Sequence, residues 1–229
     1  MTKFLLATVA MVTVAIGLLS SPLSFAADNL VGLPVSGLAV AEKNGKLRYV
    51  SDNGRFLLEG RMYDTWNKEY IDSLEMADRA SKYIDFQKMK FNVGDLDPLV
   101  LGTGKKQVTI FVDPYCGFCH KMFMQMQELK NEYTFNIVQL PILGESSVSR
   151  VRDVLCAEDK VEALNSVLAG DNKTSLKQTA TCDQLPVNKR LVTAQFFAIK
   201  GVPHSIRQDG FITKGFIPDL KSWLAQGKG

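Results

Sequence analysis

Charge of one sign is what this sequence most plainly lacks. Its 27 lysines and arginines stand against 24 aspartates and glutamates in 229 residues, a formal charge of +3. The basic side chains are scattered, without a stripe or cluster, which excludes the electrostatic footprint of a nucleic-acid or membrane-surface binder. Low-complexity runs are absent, and a chain with 46% hydrophobic and 22% charged residues can build a real core, in one large domain or two modest ones. Cysteine is scarce: there are four, and one pair alone has the Cys-x-x-Cys spacing. Long apolar runs are nearly missing too. The exception, Phe4 to Leu19, is shorter than the ~20 residues a membrane span needs.

That exception is informative. Lys3 precedes it, Pro22 breaks it, and Ser24-Phe25-Ala26 places small residues at the −3 and −1 positions of a cleavage site. The pattern is that of a secretory signal peptide over 1–26, with an uncleaved membrane anchor as the alternative. All four cysteines lie beyond it, so the mature chain is expected to work in an oxidising compartment, as after export from a bacterial cytoplasm.

Turn signals and periodicity then divide the mature chain. Asn44-Gly45 and Asn53-Gly54 sit between "SGLAVA", "KLRYVS" and "RFLLEG" and predict an antiparallel meander over 35–63, because both residues tolerate the positive φ of a type I′ turn. So small a sheet buries little alone, which implies a partner surface or packing on the rest of the chain. From Tyr70 to Phe86 the period becomes helical, with Ile71, Leu74, Ala77, Tyr83 and Phe86 apolar. Asn92, Gly94, Asp97-Pro98 and Gly102-Thr103-Gly104 then suggest the end of a linker.

Beyond it strands and helices alternate. "QVTIFVD" (107–113) is a buried strand, and a helix is expected from Cys116 to Tyr133 with Cys119, Met122, Phe123, Met126, Leu129 and Tyr133 on one face. The methionines are read as core filling. "TFNIVQLP" (134–141) is a second strand, followed by helical regions from Ser147 to about Ala169 and from Pro186 to Lys200. A hairpin turns at Asp209-Gly210, and a short helix begins at Asp219. This order is that of a thioredoxin-type domain.

Three chemistries share the letters Cys116-Gly117-Phe118-Cys119-His120: a thiol–disulfide pair, covalent haem attachment, or half a zinc site. Haem, with His120 as axial ligand, requires an enclosing helical fold, whereas a buried strand ends just before Cys116. Zinc requires two more ligands at suitable spacing, and neither Cys156 nor Cys182 belongs to a second Cys-x-x-Cys. The redox reading remains, with no cofactor and no metal. At a strand-to-helix junction the unpaired N–H groups and the helix dipole favour a thiolate, and they lower the thiol pKa of such motifs from about 8.5 to roughly 3.5–7.5. Cys116 is then the attacking thiol and Cys119, one turn further in, the resolving one. In an exported protein Cys156 and Cys182 are expected to form a bridge, two free buried thiols being the alternative. Val202-Pro203 lies between a helix and a hairpin, where the thioredoxin fold has a cis-proline facing the disulfide. Asp113 is expected to cap the strand–helix turn. His120 is expected to tune the thiolate or to begin the helix surface, and His204 to pack or be solvated.

Taken together, "TIFVDPYCGFCHKMF", "GVPHS", the Cys156 and Cys182 pair and the upstream "EGRMYD" resemble the periplasmic disulfide isomerases of the DsbC and DsbG type. The resemblance implies an α+β chain: an N-terminal antiparallel-sheet dimerisation domain (27–66), a helical linker (67–104) and a thioredoxin-like catalytic domain with an inserted helical region (105–229). It implies a homodimer in the periplasm of a Gram-negative bacterium, misoxidised exported proteins as substrates, and a DsbD-type membrane reductase as partner. By position, Cys116 matches the nucleophile, Cys119 its partner, Gly117 and Phe118 the dipeptide that sets redox poise, Pro203 the cis-proline, and Cys156 with Cys182 the structural bridge. Val202 stands where the family usually has threonine. The activity implied is isomerisation; a reductase protecting single cysteines, a holdase and a dithiol oxidase are its rivals.

Overall fold

The chain's computed structural model describes residues 30–35 and 37–226, so the leader expected over 1–26 lies outside the described residues. The first sheet is antiparallel, in the order β1 (Leu30–Gly32), β2 (Leu38–Lys43), β3 (Lys46–Ser51) and β4 (Leu57–Glu59). Asn44 and Gly45 both take positive φ, 55° and 71°, as a two-residue type I′ turn demands, and Lys43 pairs with Lys46 across it. The second Asn-Gly works differently. There Gly54 alone has positive φ, and the Asn53 side chain accepts from the Arg55 N–H and the Ser51 hydroxyl to shape a longer loop.

A short hairpin follows, β5 (Met62–Asp64) with β6 (Glu69–Ile71), and then α1 (Leu74–Lys82), capped by Ser73, which accepts from the Met76 N–H. Val40, Tyr49, Ile71 and Ala77 form the small core where α1 meets the sheet. The helix expected from Tyr70 to Phe86 is therefore shorter at both ends. Tyr70 and Ile71 pair as a strand with Tyr63 and Met62, where aromatic and β-branched side chains fit. Tyr83 is extended and bridges Phe211. After α2 (Phe86–Met89) and a 3-10 turn (Val93–Leu96), the stretch expected as the end of a linker holds β7 (Leu99–Leu101), an edge strand of the second sheet. Its glycines are needed for close approach: a Cβ on Gly104 would sit 2.0 Å from the Glu132 carbonyl carbon.

The second sheet has the order β11 (Ile212–Lys214), β10 (His204–Arg207), β8 (Lys106–Val112), β9 (Tyr133–Gln139), β7. β8 and β9 are parallel, joined by the crossover helix α3 (Gly117–Leu129); the other pairings are antiparallel. Because α3 stops at Leu129, Tyr133 opens β9 instead of extending the helical face. Four more helices follow: α4 (Glu145–Leu155), α5 (Lys160–Ala169), α6 (Leu185–Phe196) and α7 (Leu220–Ala225). β8 is covered on both sides, which explains why Val108 to Val112 are all buried. Val108, Ile110 and Val112 join a core with residues of α3, α5 and α7, while Phe111 joins Ile84, Leu96, Ala194 and Phe197 in another. Among the described residues no helix is long and apolar enough to cross a membrane.

Candidate active site

β8 ends at Val112, and the next four residues bring the chain to the start of α3. Cys116 is the N-cap of that helix, with φ −81° and ψ 106°. Its Sγ accepts from the Cys119 N–H at 3.2 Å, and its carbonyl accepts from the Cys119 and His120 N–H groups. A bond of this kind strengthens when the acceptor carries charge, and the positive end of α3 points the same way. Cys119, one turn inward, is fully buried, and burial, followed by its hydrogen bond with Cys116, pushes its thiol up. Both sulfurs are buried: Cys116 caps the helix beside exposed Gly117 and Phe118, and Cys119 lies one turn further in.

The Val202–Pro203 bond is cis, and the Val202 carbonyl lies 3.7 Å from Cys116 Sγ. Two features hold this loop opposite the cysteine. β10 begins at His204 and pairs with β8, and the Pro203 carbonyl accepts from the Gly215 N–H at 2.8 Å. Gly117 and Phe118 face solvent. The Phe118 ring, 57% exposed, lies between Phe216, with ring centres 5.8 Å apart, and the Lys121 ammonium at 5.2 Å. Tyr115 and Leu143 are exposed as well.

Asp113 does more than the expected turn cap, and it caps no helical N–H. It is fully buried; one carboxyl oxygen accepts from the Tyr115 N–H at 2.9 Å and the Ser147 hydroxyl at 2.8 Å. The other accepts from the Ile142 and Leu143 N–H groups at 2.9 and 3.0 Å. The helix is capped by Cys116 itself. His120 lies with Nε2 2.8 Å from the Pro114 carbonyl, which also accepts from the Asn172 amide at 2.7 Å. Buried Arg150 fixes the loop that carries Asn172, donating to the Thr174 and Asp171 carbonyls and contacting Asp153 and Ser166. A Cβ on Gly170 would come within 3.0 Å of the His120 ring. Asn172 and Gly170 lie in a stretch with no motif, so sequence reasoning missed them; the inserted helices reach the cysteine loop through these residues.

Cys156 and Cys182 are bonded, with Cα atoms 5.4 Å apart, and join the end of α4 to the loop before α6. Among the described residues no group of three or more His, Cys, Asp and Glu side chains could hold a metal ion.

His204 packs. It is 2% exposed, edge-on to Phe111, and its Nε2 has no hydrogen-bond partner. Burial, then the charge of Lys214, holds its imidazole down at about 4 against the ordinary 6.5. Between those values the unfolded chain binds a proton that the folded chain refuses, so stability is fullest above pH 6.5 and falls as pH drops towards 4. The loss is about 3 kcal/mol. A His204→Leu variant is expected to flatten Tm between pH 7 and pH 4; an unchanged slope would assign the acid sensitivity to other groups.

Known proteins resemble the chain in sequence and in fold. A family model described as a thioredoxin-like domain matches residues 99–226. The chain is similar to the thiol:disulfide interchange protein DsbC of Dickeya dadantii, 24% identical over 189 residues, covering 81% of this chain and 74% of that protein. It is also similar to DsbC of Haemophilus influenzae, 24% identical over 201 residues, covering 85% and 82%. Among solved structures, Proteus mirabilis ScsC in a compact conformation has a TM-score of 0.50 at 17% identity, over 59% of this chain and 75% of that one, a likeness of fold alone.

Proposed function

The chain belongs to the thioredoxin-like family, and on that premise we propose that this DsbC-like thiol–disulfide oxidoreductase rearranges wrong disulfides in exported proteins. Cys116 attacks one sulfur of a substrate disulfide; the S–S bond breaks, the other sulfur leaves as thiolate, and a mixed disulfide joins substrate to Cys116. A second substrate thiolate then attacks the mixed disulfide, forming a new substrate pairing and restoring Cys116, with no net electron transfer. Alternatively Cys119 gives up its proton and attacks Cys116 Sγ. The Cys116–Cys119 disulfide forms, the substrate leaves reduced, and two electrons have passed to it. A membrane reductase of the DsbD type would return them.

The observation that carries isomerisation is the place of Cys119, fully buried one turn inside α3, where burial pushes its thiol up. A resolving thiol that stays protonated inside the core leaves the mixed disulfide open to a substrate thiol for longer. Gly117, Phe118 and Val202–Pro203 border the attacked bond, and His120 holds the loop before it. A homodimer through the N-terminal sheet is supported by β4, an edge strand whose Leu57 and Leu58 are exposed. In this reading the sheet forms the dimer, the region around α1 connects it, and the part from β7 onward is catalytic. The work is done in the periplasm once residues 1–26 are removed.

Pre-reduced protein without residues 1–26 is expected to reactivate a scrambled multi-disulfide protein at substoichiometric amounts. Reduction of a simple disulfide without reactivation would replace the isomerase by a reductase protecting single cysteines; isolation fully oxidised, with net oxidation of dithiols, would make it an oxidase.

A further inference from the structure

Beside the Val202–Pro203 loop opens a cavity of about 400 Å³ whose composition the exchange chemistry does not explain. Leu33 and Val35, from the loop between β1 and β2, wall one side; Lys200, Val202, His204 and Lys214 lie on the other. The lining contains two lysines, one histidine and neither aspartate nor glutamate. Among the described residues, Lys200 and Lys214 take part in none of the ion pairs. An anion entering between these lysines displaces no acidic partner from either.

His204 lines the same cavity, but its Nε2 is closed off from solvent and therefore from an occupant. Lys214 stands opposite His204 in the register of β10 and β11, and Gly215, the next residue, donates to the Pro203 carbonyl. Val202 belongs both to this lining and to the contact with Cys116 Sγ at 3.7 Å. An occupant of the cavity therefore lies next to the bond being exchanged.

We propose that the cavity receives the carboxylate of an Asp or Glu in the substrate segment flanking the attacked cysteine, with Lys200 and Lys214 supplying the complementary charge. Leu33 and Val35 cover the methylenes of that side chain. This names a substrate preference for the oxidoreductase proposed above and rests on that reading.

The test uses two disulfide-bonded peptides, identical except that one carries Asp and Glu beside a cysteine where the other carries Asn and Gln. Binding is measured to the Cys116→Ser variant, and reduction with pre-reduced wild type. The acidic peptide is expected to bind about tenfold more tightly, the scale of one charge-assisted hydrogen bond, and to show the lower KM. In a Lys200→Gln/Lys214→Gln background the ratio of the two affinities is expected to fall to about one. Equal affinities in the first protein, or a preference that survives the lysine substitutions, would overturn the proposal. Preferential binding of the acidic peptide with reduction of neither would keep the cavity's assignment and overturn the oxidoreductase reading. Displacement of the acidic peptide by inorganic phosphate as effective as by excess acidic peptide would assign the cavity to free anions instead.

Discussion

Replacing Cys116 with alanine is expected to lower kcat/KM for reduction of a disulfide-bonded peptide by about a thousandfold or more, since the nucleophile itself is removed. The fold should tolerate the change. Cys116 is a buried N-cap that contributes one sulfur acceptor to the Cys119 N–H, so the stability loss is about 1 kcal/mol. Cys119→Ala is a different defect. The first attack remains, the internal release route is gone, and mixed disulfides with substrate should accumulate. Retention of more than about a tenth of wild-type turnover by Cys116→Ala would remove that residue from the nucleophile's role.

The largest effect on the folded state is expected at Asp113. Its carboxyl group is fully buried and accepts four hydrogen bonds, from Tyr115, Ser147, Ile142 and Leu143. These donors come from three places: the loop before Cys116, the loop after β9 and the first turn of α4. Alanine leaves all four without an acceptor in a site too tight for easy solvation, at a cost of about 3 kcal/mol. Asparagine preserves volume yet turns an N–H₂ towards one of the two donor pairs, Tyr115 N–H with the Ser147 hydroxyl or the Ile142 and Leu143 N–H groups, so Asp113→Asn should lose a comparable amount. The cysteine loop is fixed from this side chain, so exchange activity should fall in both variants, measured beside urea denaturation of each. An Asn variant as stable as wild type would show that volume alone matters at this position.

Much of the catalytic half was legible before any coordinates. β8 is rich in β-branched and aromatic residues, α3 carries its buried residues at helical spacing, and Asp209-Gly210 marks the turn between β10 and β11. Such signals are local and survive because packing agrees with them. Other elements could not be read. β7 is three residues long and lies between Pro98 and Gly102, so periodicity has nothing to measure; its partner, β9, is far along the chain. The Tyr70–Phe86 stretch has helical spacing, but Tyr70 is drawn into a strand by Tyr63, with ring centres 5.0 Å apart, and Tyr83 is held by Phe211.

The site divides the same way. Cys116 and Cys119 announce themselves by spacing, and Pro203 by its place before a hairpin. Asp113 is legible as a turn cap, but its four donors converge only in three dimensions. Asn172 leaves no trace in sequence because its work, holding the Pro114 carbonyl beside His120, depends on an Arg150 network assembled by α4 and α5. Lys200 and Lys214 look like ordinary surface lysines until the fold sets them around His204 without an acidic neighbour.

The central claim is that Cys116 attacks and Cys119 resolves. Incubating Cys119→Ser with a disulfide-bonded peptide and mapping the adduct by mass spectrometry tests it directly. A peptide bound through a mixed disulfide to Cys116, with no comparable adduct on Cys119 in the reciprocal Cys116→Ser variant, is the predicted result. An adduct that forms as readily on Cys119, or on neither cysteine, would contradict it.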